Sequence, residues 1–272
     1  MKAAADWRAE WEAVGASVIG LDHVRRDQPL QDASAAVAGR GRRPAAVVCD
    51  GAGSAAKADE GARAAVRAFR VAVAAMEPLL AECLDRPGTG GAYAEEMWRY
   101  AAGWILRALA AAREEAAREG GGGAGEYAFT VAAAVAGRAR TGFVQVGDGA
   151  LCAKTRDGAC RLVFPPQKGR HANETEFLEA DTVERDAHLT AVAATEPLDG
   201  VLAMSDGPET NMIDAAAGRP APVVARMIDD CGGGELDGPS LRKYLTGSRW
   251  LADLRGGDDK SIAVFARKRR KW

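Results

Sequence analysis

Three times in this chain an apolar run stops at an Asp-Gly corner, and that pattern limits the fold more than any other feature. The corners are Val47-Val48-Cys49-Asp50-Gly51, Phe143-Val144-Gln145-Val146-Gly147-Asp148-Gly149 and Val201-Leu202-Ala203-Met204-Ser205-Asp206-Gly207. A fourth carboxylate pair, Asp258-Asp259, stands just ahead of the run Ser261-Ile262-Ala263-Val264-Phe265. Short apolar runs bounded by glycine read as strands. Each one delivers a carboxylate to the rim of a sheet, where the glycine lets the backbone turn and approach a ligand closely. Four such rims, far apart in sequence, would converge into an all-oxygen site for hard cations. The residues by themselves therefore point to a dinuclear Mg2+ or Mn2+ hydrolase.

Composition removes several alternatives. The 272 residues can bury a sizeable core, and the net charge of −2 gives no reason to expect nucleic acid or a membrane surface as partner. No apolar stretch approaches the roughly 20 residues that span a bilayer. The segment Met1–Trp7 lacks the apolar core of a secretory signal, and the five cysteines form no CxxC pair. They read as buried thiols in a reducing cytoplasm, which sets the expected location. With three histidines and no HExxH, a zinc hydrolase is disfavoured. No cysteine is followed six positions later by arginine, so a cysteine-phosphatase loop is excluded.

The pattern along the chain predicts strands at 14–20, 32–38 and 44–49, then a helix from Ala55 to Leu80 and a second from Tyr93 to Glu119. In the second helix Met97, Tyr100, Trp104, Ile105, Ala108 and Leu109 read as one packed stripe. Gly120–Gly125 is a stop. Strands follow at 127–136, 141–146 and 150–154, a polar segment at 164–188, and strands at 189–194 and 201–204. Helices at about 220–231 and 238–253 and a closing strand at 261–266 complete the reading, with Arg267–Lys271 as a solvated basic tail. The fold class is α+β. With no linker in sight, one domain spans 10–268, with terminal extensions at 1–9 and 269–272.

The order of the corners resembles that of the metal-dependent protein phosphatases of type 2C (the PPM family), in particular their compact bacterial branch. The resemblance runs through Gly15-Ala16-Ser17-Val18-Ile19-Gly20, Gln31-Asp32, Asp50-Gly51-Ala52-Gly53-Ser54, Gly147-Asp148, Ala172–Leu178, Ser205-Asp206-Gly207 and Asp258-Asp259-Lys260-Ser261. It implies a four-layer α-β-β-α sandwich, two central antiparallel sheets flanked by helix pairs. It also implies two divalent cations, Mn2+ or Mg2+, and hydrolysis of phosphoserine or phosphothreonine by direct attack of a metal-bridging hydroxide. By position, Asp50 would bridge the two metals and the Gly51 carbonyl would ligate one of them. Asp206 and Asp258, rather than Asp259, would hold the other. Asp32 would orient a bound water, and Asp148 matches the place of a third, weaker ion. The implied partners are a phosphorylated protein substrate and an opposing Ser/Thr kinase, acting on a monomer.

The chain departs from this pattern at two places. Many relatives carry His between the two glycines after the first Asp, as general acid; here that residue is Ala52. The acid is thus open: His23, in the loop before Gln31-Asp32, is one candidate, and an exposed loop residue with water as donor is the other. Phosphate capture is the second. Asp27 stands near the usual arginine position, which leaves Arg25 or Arg26 to grip the phosphate or to remain solvated. Asp148 reads equally as a tight hairpin turn, and Asn173, Glu174 and Thr175 as a substrate flap or a helix cap. His171 and His188 read as surface or structural residues. Two other functions stay open: a phosphatase-fold module that binds a phosphoprotein without turnover, and a phosphatase for a small metabolite.

Overall fold

The computed structural model describes residues 6–88, 91–165, 175–179, 181–185, 188–214, 216–247 and 257–269. A 3-10 turn at Trp7–Glu10 leads into β1 (Trp11–Val18), the short α1 (Leu21–Arg25), β2 (Ala33–Val37) and β3 (Ala45–Cys49). The helices α2 (Ala58–Ala75), α3 (Glu77–Leu84) and α4 (Gly91–Gly120) follow, then β4 (Val131–Ala136), β5 (Arg140–Val146), β6 (Ala150–Thr155) and β7 (Cys160–Leu162). After β8 (Leu189–Ala194) and β9 (Leu198–Met204) come α5 (Glu209–Met212) and the two-residue strands β10 (Ile213–Asp214) and β11 (Arg219–Pro220). The last elements are α6 (Pro222–Gly233), α7 (Gly238–Leu245) and β12 (Lys260–Arg267).

Two five-stranded antiparallel sheets form, in the orders β1-β12-β9-β6-β7 and β2-β3-β4-β5-β8. All five residues of β3 are buried, and they divide by parity. Ala45, Val47 and Cys49 join Phe69, Trp98 and Leu106 of the overlying helices. Ala46 and Val48 join Val201, Ala203 and Phe265 of the other sheet. β12 repeats the arrangement: Ile262 and Val264 meet α6 and α7, while Ala263 and Phe265 face between the sheets. A strand covered on both faces must be apolar at every position, so these runs do not alternate with polar residues. The outcome is the four-layer α-β-β-α sandwich, with α2 and α4 outside one sheet and α6 and α7 outside the other.

Several elements differ from the sequence reading. The helix expected over 55–80 is two, because Pro78 sits in the first turn of α3. Proline lacks the amide that would continue α2 and its ring clashes with the preceding turn, so the helix restarts at Met76. Trp104 and Tyr100 are not on the buried stripe of α4; that stripe carries Trp98, Ile105, Leu106 and Leu109. Nor is Arg267 solvated. Its guanidinium lies 4.5 Å from the Trp11 ring centre and donates to the carbonyls of Leu198 and Thr195. Lys268 and Arg269 pair with Glu12 and Asp229, while Arg270 and Lys271 lie outside the described residues. The expected helix 238–253 is described only as Gly238–Leu245.

Two contacts hold the helical layer on its sheet. Arg43, buried just before β3, donates to both oxygens of Glu77 and of Asp85, and so ties the sheet to the two ends of α3. Trp98 of α4 lies on Gly142 and donates its indole N–H to the Phe143 carbonyl at 2.8 Å. A Cβ at Gly142 would stand 2.3 Å from the Trp98 ring. Gly142→Ala is therefore expected to lower the free energy of unfolding by about 3 kcal/mol in urea denaturation, since neither ring nor strand can retreat.

Candidate metal centre

Strand register decides which carboxylates meet. Ala33 opposes Cys49, so the residue before β2, Asp32, and the residue after β3, Asp50, leave the sheet at the same end. Ala150 and Ile262 both oppose Met204, which places Asp148, Asp206 and Asp258 together at one rim of the other sheet. The two rims face each other across the inter-sheet core. The Asp50 corner is fastened by the Thr130 N–H on the Asp50 carbonyl and the Ala52 N–H on the Ala128 carbonyl. Gly51 has to be glycine, because a Cβ there would stand 2.7 Å from the Gln31 carbonyl oxygen.

The resulting cluster is electrostatically tense. Asp50 is held well above the usual carboxylate range, first by burial and then by the charges of Asp32 and Asp206. Burial pushes Asp32 up from the ordinary 3.8 to about 7, against the hydrogen bond it accepts from Ser205 Oγ at 2.7 Å. Asp206 is raised by burial, with Asp258 and Asp148 adding repulsion. Lys260 is almost fully buried, and burial pushes its ammonium below the usual lysine range against the pull of Asp258, Asp259, Asp32 and Asp22; its Nζ donates to the Asp258 carbonyl at 2.7 Å. The Ser205 hydroxyl also accepts the Ser261 N–H at 3.0 Å, and Ser261, Ser17 and Ser34 extend a hydroxyl chain between the sheets.

The donor set fits hard divalent cations by its chemistry: carboxylates and a strand-end carbonyl, with no thiolate or imidazole among them. Among the described residues no three acidic, His or Cys side chains stand in a ready coordinating arrangement. Asp32, Asp50 and Asp206 crowd one another at the rim, and each is held above the usual carboxylate range by burial and by its neighbours. A divalent cation held by these carboxylates would offset their mutual repulsion.

Sequence reasoning missed α1, which is too short to show periodicity. It carries His23, which is 7% exposed and not a free loop residue. His23 Nδ1 lies 2.9 Å from Asp259 Oδ2, off the line of a straight hydrogen bond, and Nε2 lies 3.9 Å from Asp258 Oδ1. The carboxylate of Asp259 is engaged elsewhere as well: it accepts the N–H of Gly20 at 2.7 Å and of Gln31 at 2.6 Å. Asp259 thus clamps α1, the Asp32 segment and the start of β12 to one another. Its signal in the sequence was only its adjacency to Asp258. Arg25, on the same helix, is exposed and pairs with Asp22 at 3.0 Å; Arg26 is exposed. Asp27 adopts a φ of 54°, left-handed backbone that Asp tolerates.

Ala52 is buried in a small apolar cluster with Ala55, Ala58 and Ala128. Asp148 accepts the hydroxyl of Thr175 at 2.7 Å beside Gly147, whose φ of 87° makes the turn, so the residue serves the hairpin and faces the rim together. The segment after Thr175 is anchored: Leu178 and Thr182 are fully buried, and Arg113 donates to the carbonyls of Leu178 and Ala124. His188 is described, with its Nδ1 buried and unpartnered, whereas His171, Asn173 and Glu174 lie outside the described residues.

The family model "Protein phosphatase 2C" matches residues 19–245, and the chain belongs to that family. The fold recurs in solved structures at low identity. A serine/threonine phosphatase of S. agalactiae is 15% identical, with a TM-score of 0.60 over 95% of this chain and 100% of the other. PppA of Pseudomonas aeruginosa, a regulatory component of T6SS, is 17% identical, with a TM-score of 0.57 over 94% and 97%. The catalytic domain of the serine/threonine phosphatase PstP, in complex with two manganese ions, is 18% identical, with a TM-score of 0.53 over 95% and 99%. No curated relative matches the chain.

The acidic cluster has a measurable consequence for the protein kept free of divalent cations. A carboxyl whose pKa is higher folded than unfolded stabilises the fold while it is protonated, and that stabilisation is lost as pH climbs through the folded value. For Asp32 the window runs from 3.8 to about 7. The free energy of unfolding in EDTA is therefore expected to fall by roughly 2 to 4 kcal/mol between pH 4.5 and 7.5. Asp206→Asn, which removes one of the opposed charges, should make that fall shallower in the same urea titrations.

Proposed function

We propose that this protein is a metal-dependent phosphatase of phosphoserine and phosphothreonine proteins, acting as a single catalytic domain over 10–268 in the cytoplasm and opposing a Ser/Thr kinase. The observation that carries the reading is the convergence, by strand register, of Asp50, Asp206 and Asp258 in a chain of the protein phosphatase 2C family. Two divalent cations bound there would supply Lewis acidity toward the phosphoryl oxygens and an activated water. Support for Mn2+ or Mg2+ comes from the all-oxygen donors and from the two manganese ions of the PstP structure. Among the described residues no helix is long and apolar enough to cross a membrane.

The chain's own residues divide the work. Asp50, the Gly51 carbonyl, Asp206 and Asp258 would hold the cations, and Asp148 beside Asp206 would offer the place for a third. Asp32, fixed by Ser205, accepts a hydrogen bond from a water at the rim and sets its direction. His23 gives a proton to the departing Ser or Thr oxygen through Nε2, the nitrogen that faces Asp258, while Asp259 holds the opposite side of the ring. Arg25, on the exposed side of α1, exchanges Asp22 for the substrate phosphate, with Arg26 next to it.

Hydrolysis of a phosphothreonine peptide is expected with Mn2+ or Mg2+ and not with EDTA, and Asp206→Asn should lower kcat/KM at least about a hundredfold. Mn2+ binding followed by calorimetry should weaken in the same variant. Metal binding without turnover would favour instead a module that binds phosphoproteins. His23→Gln tests the proton donor separately. Its kcat should drop about a hundredfold or more on the peptide, whose leaving oxygen needs a proton, and little on p-nitrophenyl phosphate, whose leaving group does not. An equal loss on both substrates would remove His23 from that role.

A further inference from the structure

The outer face of the helical layer carries apolar surface left exposed among the described residues. Val71, Tyr100 and Trp104 are 68%, 56% and 47% exposed and line a groove of about 1020 Å³ between α2 and α4. The rings are held in place: Tyr100 meets Trp104 edge-on at 6.3 Å, and Arg107 lies 5.7 Å from the Trp104 ring centre. Contiguous apolar surface of this kind marks an interface more often than an ordinary monomer surface.

The charges along the groove say what fits it. Arg67 lines it from α2, and Glu115 and Glu119 line it from α4. Among the described residues none of the three has an ion-pair partner, whereas neighbouring Arg63 is engaged by Asp59. The helices run antiparallel, because Lys57 at the start of α2 donates to the Gly120 and Gly121 carbonyls at the end of α4. Measured from that anchor, Arg67 and Glu115 differ in height by about 7 Å, a gap that a long guanidinium arm and a glutamate can bridge. A two-fold axis running along the groove would lay α2 of each copy over α4 of the other at unchanged height. Arg67 then meets Glu115 of the partner subunit, and symmetry makes the pair twice. An axis across the groove would set α2 on α2 and α4 on α4, leaving Arg67 over α2 of the partner and the glutamates over α4, so the charges favour the first arrangement.

We propose that this groove is the interface of a homodimer with its two-fold axis along α2 and α4. The proposal replaces the monomer expected from the sequence and is independent of the carboxylate rim. None of Arg67, Trp104 or Glu115 belongs to that rim, so the dimer leaves each site as it stands.

Sedimentation velocity on the full chain, from about 1 to 100 µM, tests it, because association responds to concentration by mass action. Wild type should dimerise in this range, and Trp104→Glu, Arg67→Glu and Glu115→Arg should each raise the dissociation constant at least about tenfold. The double variant Arg67→Glu with Glu115→Arg should return to within about threefold of wild type, because reversing both partners restores the pair. That restoration also shows that the single variants failed to associate rather than to fold. A wild type that stays monomeric throughout, a dimer indifferent to Trp104→Glu, or a double variant that remains monomeric would each overturn the proposal.

Discussion

Repulsion among buried carboxylates at the rim between the sheets is the constraint to which the other parts of this structure respond. Asp32, Asp50 and Asp206 all lie above the usual carboxylate range, and burial is the leading cause for each. Such a cluster persists only when the surroundings over-determine it. Here the surroundings are four apolar layers, with the corner residues stapled by backbone hydrogen bonds to the ends of neighbouring strands. The Lys260 cation and the Ser205 hydroxyl ease the repulsion from within, but neither removes it. A charge pattern that weakens the empty fold is the pattern that rewards a bound cation, so stability and cation affinity are coupled at the same oxygens.

Antiparallel pairing does the positioning. A strand end has neighbours fixed by register, and here each acidic residue sits one or two positions beyond such an end. Slipping β12 against β9 by one residue would move Asp258 along the rim. It would also turn Ile262 and Val264 away from α6 and α7, exchanging the apolar sets of the two faces. Burial of both faces therefore fixes the register, and the register fixes the carboxylates. Asp259 adds a second lock, because its oxygens accept backbone N–H groups from Gly20 and Gln31, which come from different segments.

This logic explains which features were legible in the sequence. The strand runs and their Asp-Gly ends could be read directly, since burial on both faces leaves only apolar residues and a turn leaves glycine. The assignment of roles within Asp258-Asp259 came from family resemblance; the structure adds a physical reason, since backbone amides occupy the Asp259 oxygens while Asp258 is half exposed. α1 was not legible, because five residues are too few to show a helical period, and His23 was therefore left between a loop and a site. Tyr100 and Trp104 were assigned to packing because spacing identifies a stripe without saying whether anything covers it. In α4 two stripes run side by side, and only the one with Trp98, Ile105 and Leu109 meets the sheet.

Ala52 and His23 are better understood together than singly. Where the family pattern has a histidine between the glycines, this chain has a methyl group packed among Ala55, Ala58 and Ala128. An imidazole placed there would have to displace that packing or turn out toward the rim. His23 stands beside Asp258 and Asp259, carried on a helix held by Asp259 and by the Gly257 carbonyl that accepts the Asp22 N–H. Gly20 is required for that approach, since a Cβ there would stand 2.2 Å from the backbone of Asp258. The close approach at Gly20 and the buried Asp259 carboxylate thus set the His23 imidazole 3.9 Å from Asp258.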